Sequence, residues 1–207
     1  MATVTVTTQS GDIVVRGESR SNVVTEGRPG GSDDIVVRCP EGSDVVVGTD
    51  SGDVDLQGRL GQAKVTAASG SVTVEQVEGL EVRAMSGKVR VLECTGQCRV
   101  QATSGSVRIG RAGTIDTSCE SGSIRVDRAE GGRVQAVSGS VEVSATGREG
   151  LVVRTMSGSV RVTLPPGVHP ETQLVSESGD ARCDCQQGSD CRVLVWTGSG
   201  SISVKPG

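Results

Sequence analysis

Residues 100–109 read VQATSGSVRI, and residues 134–143 read VQAVSGSVEV. The same core, Ser-Gly before a pair of Val or Ile residues two apart, runs through the whole chain. Its glycines are Gly11, Gly52, Gly70, Gly87, Gly105, Gly122, Gly139, Gly158, Gly179 and Gly200. From Gly52 onward the steps are 18, 17, 18, 17, 17, 19, 21 and 21 residues. A period of this size marks a repeat architecture, in which each repeat buries its apolar face against its neighbours. The one large step, 41 residues from Gly11 to Gly52, fits two periods. The concealed period holds Asp34-Ile35-Val36-Val37, which echoes Asp12-Ile13-Val14-Val15.

Aligning the repeats on glycine produces columns. Two residues after it stand Val54, Val72, Val89, Val107, Ile124, Val141, Val160, Ala181 and Ile202; four after it, Leu56 through Val204 with Cys183. Five before it the residues are mostly Val, and three before it Ala, Thr, Cys or Ser. These positions alternate with polar ones, which makes them the inward faces of strands. Identical columns at this period predict an all-β fold: a parallel β-solenoid (β-helix) of about eleven turns of 17–21 residues, with almost no helix. The single domain spans 1–207, with an irregular second turn near 21–40 and a loop excursion at 164–172. There, Pro165, Pro166 and Pro170 interrupt the ladder because proline lacks an N–H. The Ser before each glycine falls in the inward register, so its hydroxyl is placed to bond a corner amide.

Composition agrees. The 207 residues include 30 Gly, no Phe, no Tyr and one Trp, so the interior must be filled by Val, Ile, Leu and Ala in a narrow space. With 21 basic and 25 acidic residues, a net charge of −4 argues against nucleic acid as a partner. No apolar run is long enough for a transmembrane helix. No basic segment followed by an apolar stretch opens the chain, which points to the cytoplasm, or to the cell surface if an export segment stands upstream. Seven cysteines, an odd number, lean towards a reducing compartment.

The repeated SGSVRV and SGSVEV strings resemble the bacterial "putative-adhesin" β-strand-repeat family, also called toastrack domains. So do the stretch 156–167, MSGSVRVTLPPG, and the closing 199–204, SGSISV. The resemblance implies a single-stranded right-handed β-helix and a non-enzymatic scaffold or adhesin-like role, often linked to envelope stress. The repeat length also resembles, more distantly, the bactofilins, β-solenoids that polymerise end to end.

The residues offer little for catalysis, and no catalytic, cofactor or metal site is expected. His169 is the only histidine and lies in a Pro-rich loop with no nucleophile at a suitable spacing. Asp33-Asp34 reads as a solvated corner. Cys94-x3-Cys98 and Cys183-x-Cys185-x5-Cys191 lack the paired spacing of a zinc site. Cys98, Cys119 and Cys183 replace inward Val, Ala or Leu, where a free thiol acts as a small hydrophobe. Cys185 and Cys191 lie close enough in sequence for a disulfide to be considered.

Two surface features remain. Three residues after glycine, Arg90, Arg108, Arg125, Arg161 and Arg182 form an outward stripe suited to an anionic polysaccharide, or else a solvated edge screened by nearby carboxylates. In the last turns Val152, Val175, Leu194 and Trp196 replace outward polar residues and form a candidate interaction patch, unless the loop after Leu164 covers it. Neither end carries a helix or long polar cap, which favours end-to-end association. The reading is a non-catalytic scaffold that self-associates or docks another protein. The alternative is a surface adhesin or anionic-polysaccharide module using the Arg stripe. A polysaccharide-active enzyme would need carboxylate clusters and aromatic platforms that are not present.

Overall fold

The computed structural model describes residues 2–28 and 30–207. Among them there is no helix. The strands are β1 (Thr3–Thr8), β2 (Ile13–Glu18), β3 (Val24–Glu26), β4 (Ile35–Pro40), β5 (Asp44–Ser51), β6 (Val54–Ser69), β7 (Val72–Ser138), β8 (Val141–Ala145), β9 (Leu151–Ser157), β10 (Val160–Leu164), β11 (Pro170–Ser178), β12 (Ala181–Cys183), β13 (Cys191–Ser199) and β14 (Ile202–Pro206). All pairings between strands are parallel except β3 with β4. Long strands such as β7 pass through several turns, bending at each corner. The chain is a parallel β-solenoid, as the repeat predicts.

The glycine corner explains the repeat. A Cβ on Gly105 would fall on the carbonyl oxygen of Gly87, one on Gly122 on that of Gly105, and one on Gly139 on that of Gly122. These three glycines have φ of +122°, +137° and +124°, a range closed to L side chains. Two constraints therefore act at one position: the backbone needs positive φ, and the stacked neighbour leaves no space for a methyl group.

The same contacts record the stacking order, which departs from sequence order at both ends. The step from Gly11 to Gly52 hides no intervening turn. Gly52 sits directly on Gly11, and Gly11 sits on Asp33. The echo at 35–37 is real, since Ile13 pairs with Ile35 and Val15 with Val37. However, β4 stacks outside β2, while β5 passes back beneath β1. At the other end the corner of Gly200 stacks on Gly158, and that of Gly179 stacks on Gly200. β13 and β14 are thus inserted between the β9–β10 turn and the β11–β12 turn. The residues between Leu164 and Pro170 leave the ladder because the chain must step over a whole layer, about 4.8 Å, before it can resume. Counted at the corner, eleven layers make a rod of about 50 Å at that spacing.

The core is the set of inward columns. Val54, Val72, Val89, Val107, Ile124, Val141, Val160 and Ile202 are at most 2% exposed. A third side contributes Leu60, Val77, Cys94, Ala112 and Ala129, all buried. The serines before the corner do not point inward as alternation suggests: Ser69, Ser104 and Ser121 are exposed and Ser86 is half-buried. The ladder skips one residue just before them, pairing Ala67 with Ala84 and then Ser69 with Ser86. That skip turns the serine outward. Its hydroxyl then donates to a carbonyl of the preceding layer instead of receiving a corner amide: Ser86 Oγ to Ala68 O at 3.2 Å, and Ser138 Oγ to Glu120 O at 3.3 Å.

The two ends of the rod differ in how far the core is covered. At the β4 end, β3 runs antiparallel along the outer edge of β4. Gly30 N–H donates to Thr7 O at 2.8 Å, and Gln9 N–H to Gly31 O at 3.0 Å. Ile35, Val37 and Cys39 are fully buried there. At the opposite end Leu174 and Cys183 are only half-buried, and Ala181 is exposed.

Candidate functional site

The outward side of the sheet formed by β5, β9, β13 and the matching parts of β6 and β7 carries the most distinctive surface. Alternation turns two neighbouring columns outward on this side. One lies four residues before the glycine, the other two before it. Between them the inward residue is small: Ala67, Ala84, Ala102, Cys119 or Ala136, each buried. Two ridges over a shallow floor make a groove of about 860 Å³. It crosses eight layers, from Thr49 to Trp196, a length of about 34 Å at seven spacings of ~4.8 Å.

Apolar side chains stand along this groove. Met85 is 64% exposed, Met156 62%, Val137 46% and Trp196 36%. Sequence reasoning missed the first three, which occupy the column two before glycine. The signal was available. The position two before the corner directly follows the inward residue three before it, so alternation alone turns Met85, Val137 and Met156 outward.

The expected patch of Val152, Val175, Leu194 and Trp196 does come together. Leu194 pairs with Val152, and Trp196 with Val175. Together they line a second hollow of about 460 Å³, and Trp196 belongs to both hollows. The order along the rod is Val152, then Leu194, then Val175, because β13 lies between β9 and β11. The loop after Leu164 does not cover them. Val168 packs towards Gly147 on the third side, and Val175 is 41% exposed.

The arginine stripe is broken in space and paired in charge. Arg161 and Arg182 each pair with Ser203 across the ladder, so the inserted layer separates them. Arg108 binds Asp127 at 3.1 Å, and Arg125 binds both Asp127 at 3.1 Å and Glu142 at 3.2 Å. Arg161 binds Glu142 at 2.9 Å, and Arg182 reaches Asp180 at 3.7 Å. Burial acts to raise the Asp127 carboxyl, but the Arg125 and Arg108 hydrogen bonds outweigh it and hold it below its ordinary value. Arg90 is the stripe residue with no ion pair among the described residues.

The remaining polar residues have structural partners. His169 is half-buried rather than free in its loop. Its Nε2 lies 3.2 Å from Gln186 Oε1, and its Nδ1 lies 3.4 Å from Asp190. Asp34 belongs to a ladder of corner carboxylates: Asp12 N–H donates to Asp34, Asp53 N–H to Asp12, and Ser71 N–H to Asp53, at 2.7–3.0 Å. All seven cysteines are free thiols, and five are buried. A hydrogen bond with Cys94 and then burial push the Cys98 thiol well up; burial raises Cys39, Cys119 and Cys191. Among the described residues no group of three or more His, Cys, Asp or Glu is arranged to hold a metal ion, and no helix is long and apolar enough to cross a membrane.

Comparison with known proteins gives two matches. A family model described as Toastrack DUF4097 matches residues 1–205. The chain is also similar to a solved structure titled "putative cell adhesion protein" from Clostridium sporogenes ATCC 15579. The two are 10% identical, the similarity covers 100% of this chain and 93% of that one, and the TM-score is 0.27. No curated protein matches the sequence.

Proposed function

This chain belongs to the Toastrack family, and we propose that it is a non-catalytic scaffold: a rigid rod that holds partners by its surface. The partners are another protein on the grooved face and a second copy of the chain at the rod's end. The observation that carries the reading is the uncovered groove with Met85, Val137, Met156 and Trp196 along it. Val137, Met156 and Trp196 stand on three successive layers, and exposed apolar clusters of this kind mark contacts. Met adapts to varied partners, and Trp is favoured as an anchor. The chemistry of the face supports binding over turnover: the one histidine is engaged by Gln186 and Asp190, and the groove holds no paired carboxylates.

The anionic-polysaccharide reading is weaker on charge grounds. A stripe already neutralised by Asp127 and Glu142 presents little net attraction to an acidic polymer.

The test is selection of displayed random peptides on the folded chain, followed by titration read from Trp196 fluorescence. The reading expects binders that shift the Trp196 emission and lose at least tenfold in affinity with Met156→Asp. Binding of anionic glycans that is lost with Arg108→Glu, with no peptide binder sensitive to Met156→Asp, would replace it with the polysaccharide reading.

A further inference from the structure

The two ends of the rod are built differently. At the β4 end an antiparallel strand, β3, runs along β4, Gly30 and Gly31 bond part of the outer edge of β1, and the outermost core residues Val4, Val6, Ile35, Val37 and Cys39 are buried. The other end is the β11–β12 layer. β11 pairs only with β13 and β12 only with β14, so among the described residues their outer edges carry no strand. The core column shows at that edge: Leu174, Cys183 and Cys185 are half-buried and Ala181 is exposed. Backbone groups point the same way. The loop before β13 bonds the first part of this edge, with Gly188 N–H on Pro170 O at 3.1 Å and Thr172 N–H on Gln187 Oε1 at 3.4 Å, and strand alternation turns the N–H groups of Leu174 and Ser176 beyond it to the same side.

We propose that this end binds the same end of a second copy, giving a closed two-fold dimer with β11 antiparallel to β11 of the partner. Three observations select a second copy. The chain already closes its other end with an antiparallel strand, so the missing cap is of a kind it uses. The β4 end keeps its outermost core residues Val4, Val6, Ile35 and Val37 buried, so the exposed core of the β11–β12 end finds a matching apolar surface on the same end of another copy, which favours like-to-like contact and a dimer over an open filament. Beside the Glu171–Arg192 pair at 3.0 Å and the Asp180–Arg182 pair at 3.7 Å, Glu177 is the β11 carboxylate without an ion pair among the described residues, and antiparallel pairing about Val175 sets it opposite Gln173 rather than another carboxylate.

A two-fold axis at Val175 sets Leu174 opposite Ser176 and Gln173 opposite Glu177, with no like charges facing. It also joins the Val152–Leu194–Val175 strip of one copy to that of the other, doubling the apolar face. The inference rests on the scaffold reading and deepens its self-association half.

The test is light scattering on the size-fractionated 207-residue chain. The expected mass is two copies of 21.1 kDa, about 42 kDa. Ala181→Glu places a charge at a position exposed in one copy and buried between two, and the expected result is a folded chain at 21.1 kDa. Leu174→Lys should do the same, with circular dichroism confirming the fold of both. Met156→Asp should leave the dimer intact, so loss of peptide binding and loss of the dimer are separate outcomes. A wild-type mass of one copy, a mass that grows with concentration beyond two, or a dimer that survives both Ala181→Glu and Leu174→Lys would overturn the proposal.

Discussion

Replacing Gly122 by Ala should destabilise the rod strongly, as should the same change at the other stacked corner glycines Gly105, Gly139 and Gly158. Two costs combine. Holding an L-residue at φ +137° costs about 1–3 kcal/mol. The new Cβ also collides with the carbonyl oxygen of Gly105, a backbone atom that moves only if the two layers separate. Separation weakens one or two ladder hydrogen bonds, each contributing roughly 0.5–1.5 kcal/mol. The sum is about 1.5–6 kcal/mol, a large share of the ~5–15 kcal/mol by which domains are stable. Gly167→Ala is the control. It has φ +83° but nothing within 4 Å of a Cβ, so only the conformational cost of about 1–2 kcal/mol applies. Urea unfolding followed by circular dichroism compares them. Equal losses for Gly122→Ala and Gly167→Ala would refute the argument that layer contact, rather than backbone conformation alone, selects glycine at the corner.

Three further outcomes are expected. Thr117 is fully buried in a column of valines with no partner for its Oγ1, so Thr117→Val should raise stability by about 1–2 kcal/mol, read as a shift of the urea midpoint at constant slope. Asp127 has a folded pKa below its ordinary 3.8, so the stability it gives is present above that value and fades as pH falls through the folded one. Its carboxylate is partly exposed and screened, so Asp127→Asn should cost a few tenths of a kcal/mol at pH 7 and nothing measurable in strong acid, by urea unfolding across pH. In Ala181→Glu, Cys183 and Cys185 should react with a thiol reagent in the folded chain, and the other five cysteines only after unfolding, since burial keeps Cys39, Cys94, Cys98, Cys119 and Cys191 from the reagent.

The sequence carried the register of this fold but not its order. Columns such as Val160, Ala181 and Ile202 show which residues align. Each layer presents nearly the same inward side chains, so Ile202 fits against Val160 as well as Ala181 would. Nothing in the period reports that β14 slips between them. The echo of Ile13 at Ile35 was visible for the same reason, and its position outside β2 was hidden for the same reason. The apolar patch around Trp196 was legible because Leu194 and Val152 break an outward polar pattern. The groove beside Met85 and Met156 was overlooked because the outward columns were followed only at six and four residues before the glycine, although alternation also turns the position two before it outward. The neutralised arginines depend on Asp127, which stands five residues after Gly122, in a column the repeat leaves variable.

The exchanged order of the last layers is the most specific feature of this architecture, and a cross-link tests it directly. Ser159 and Ser201 lie on adjacent layers with their Oγ atoms 3.4 Å apart. Neighbouring layers are about 4.8 Å apart, within the Cα range of a disulfide, whereas layers two apart are ~9.6 Å apart and beyond it. Ser159→Cys with Ser201→Cys should therefore form a disulfide on oxidation, identified by peptide mass mapping, while Ser159→Cys with Asp180→Cys should not. A cross-link between positions 159 and 180 and none between 159 and 201 would mean that the turns stack in sequence order, contradicting the exchanged layers.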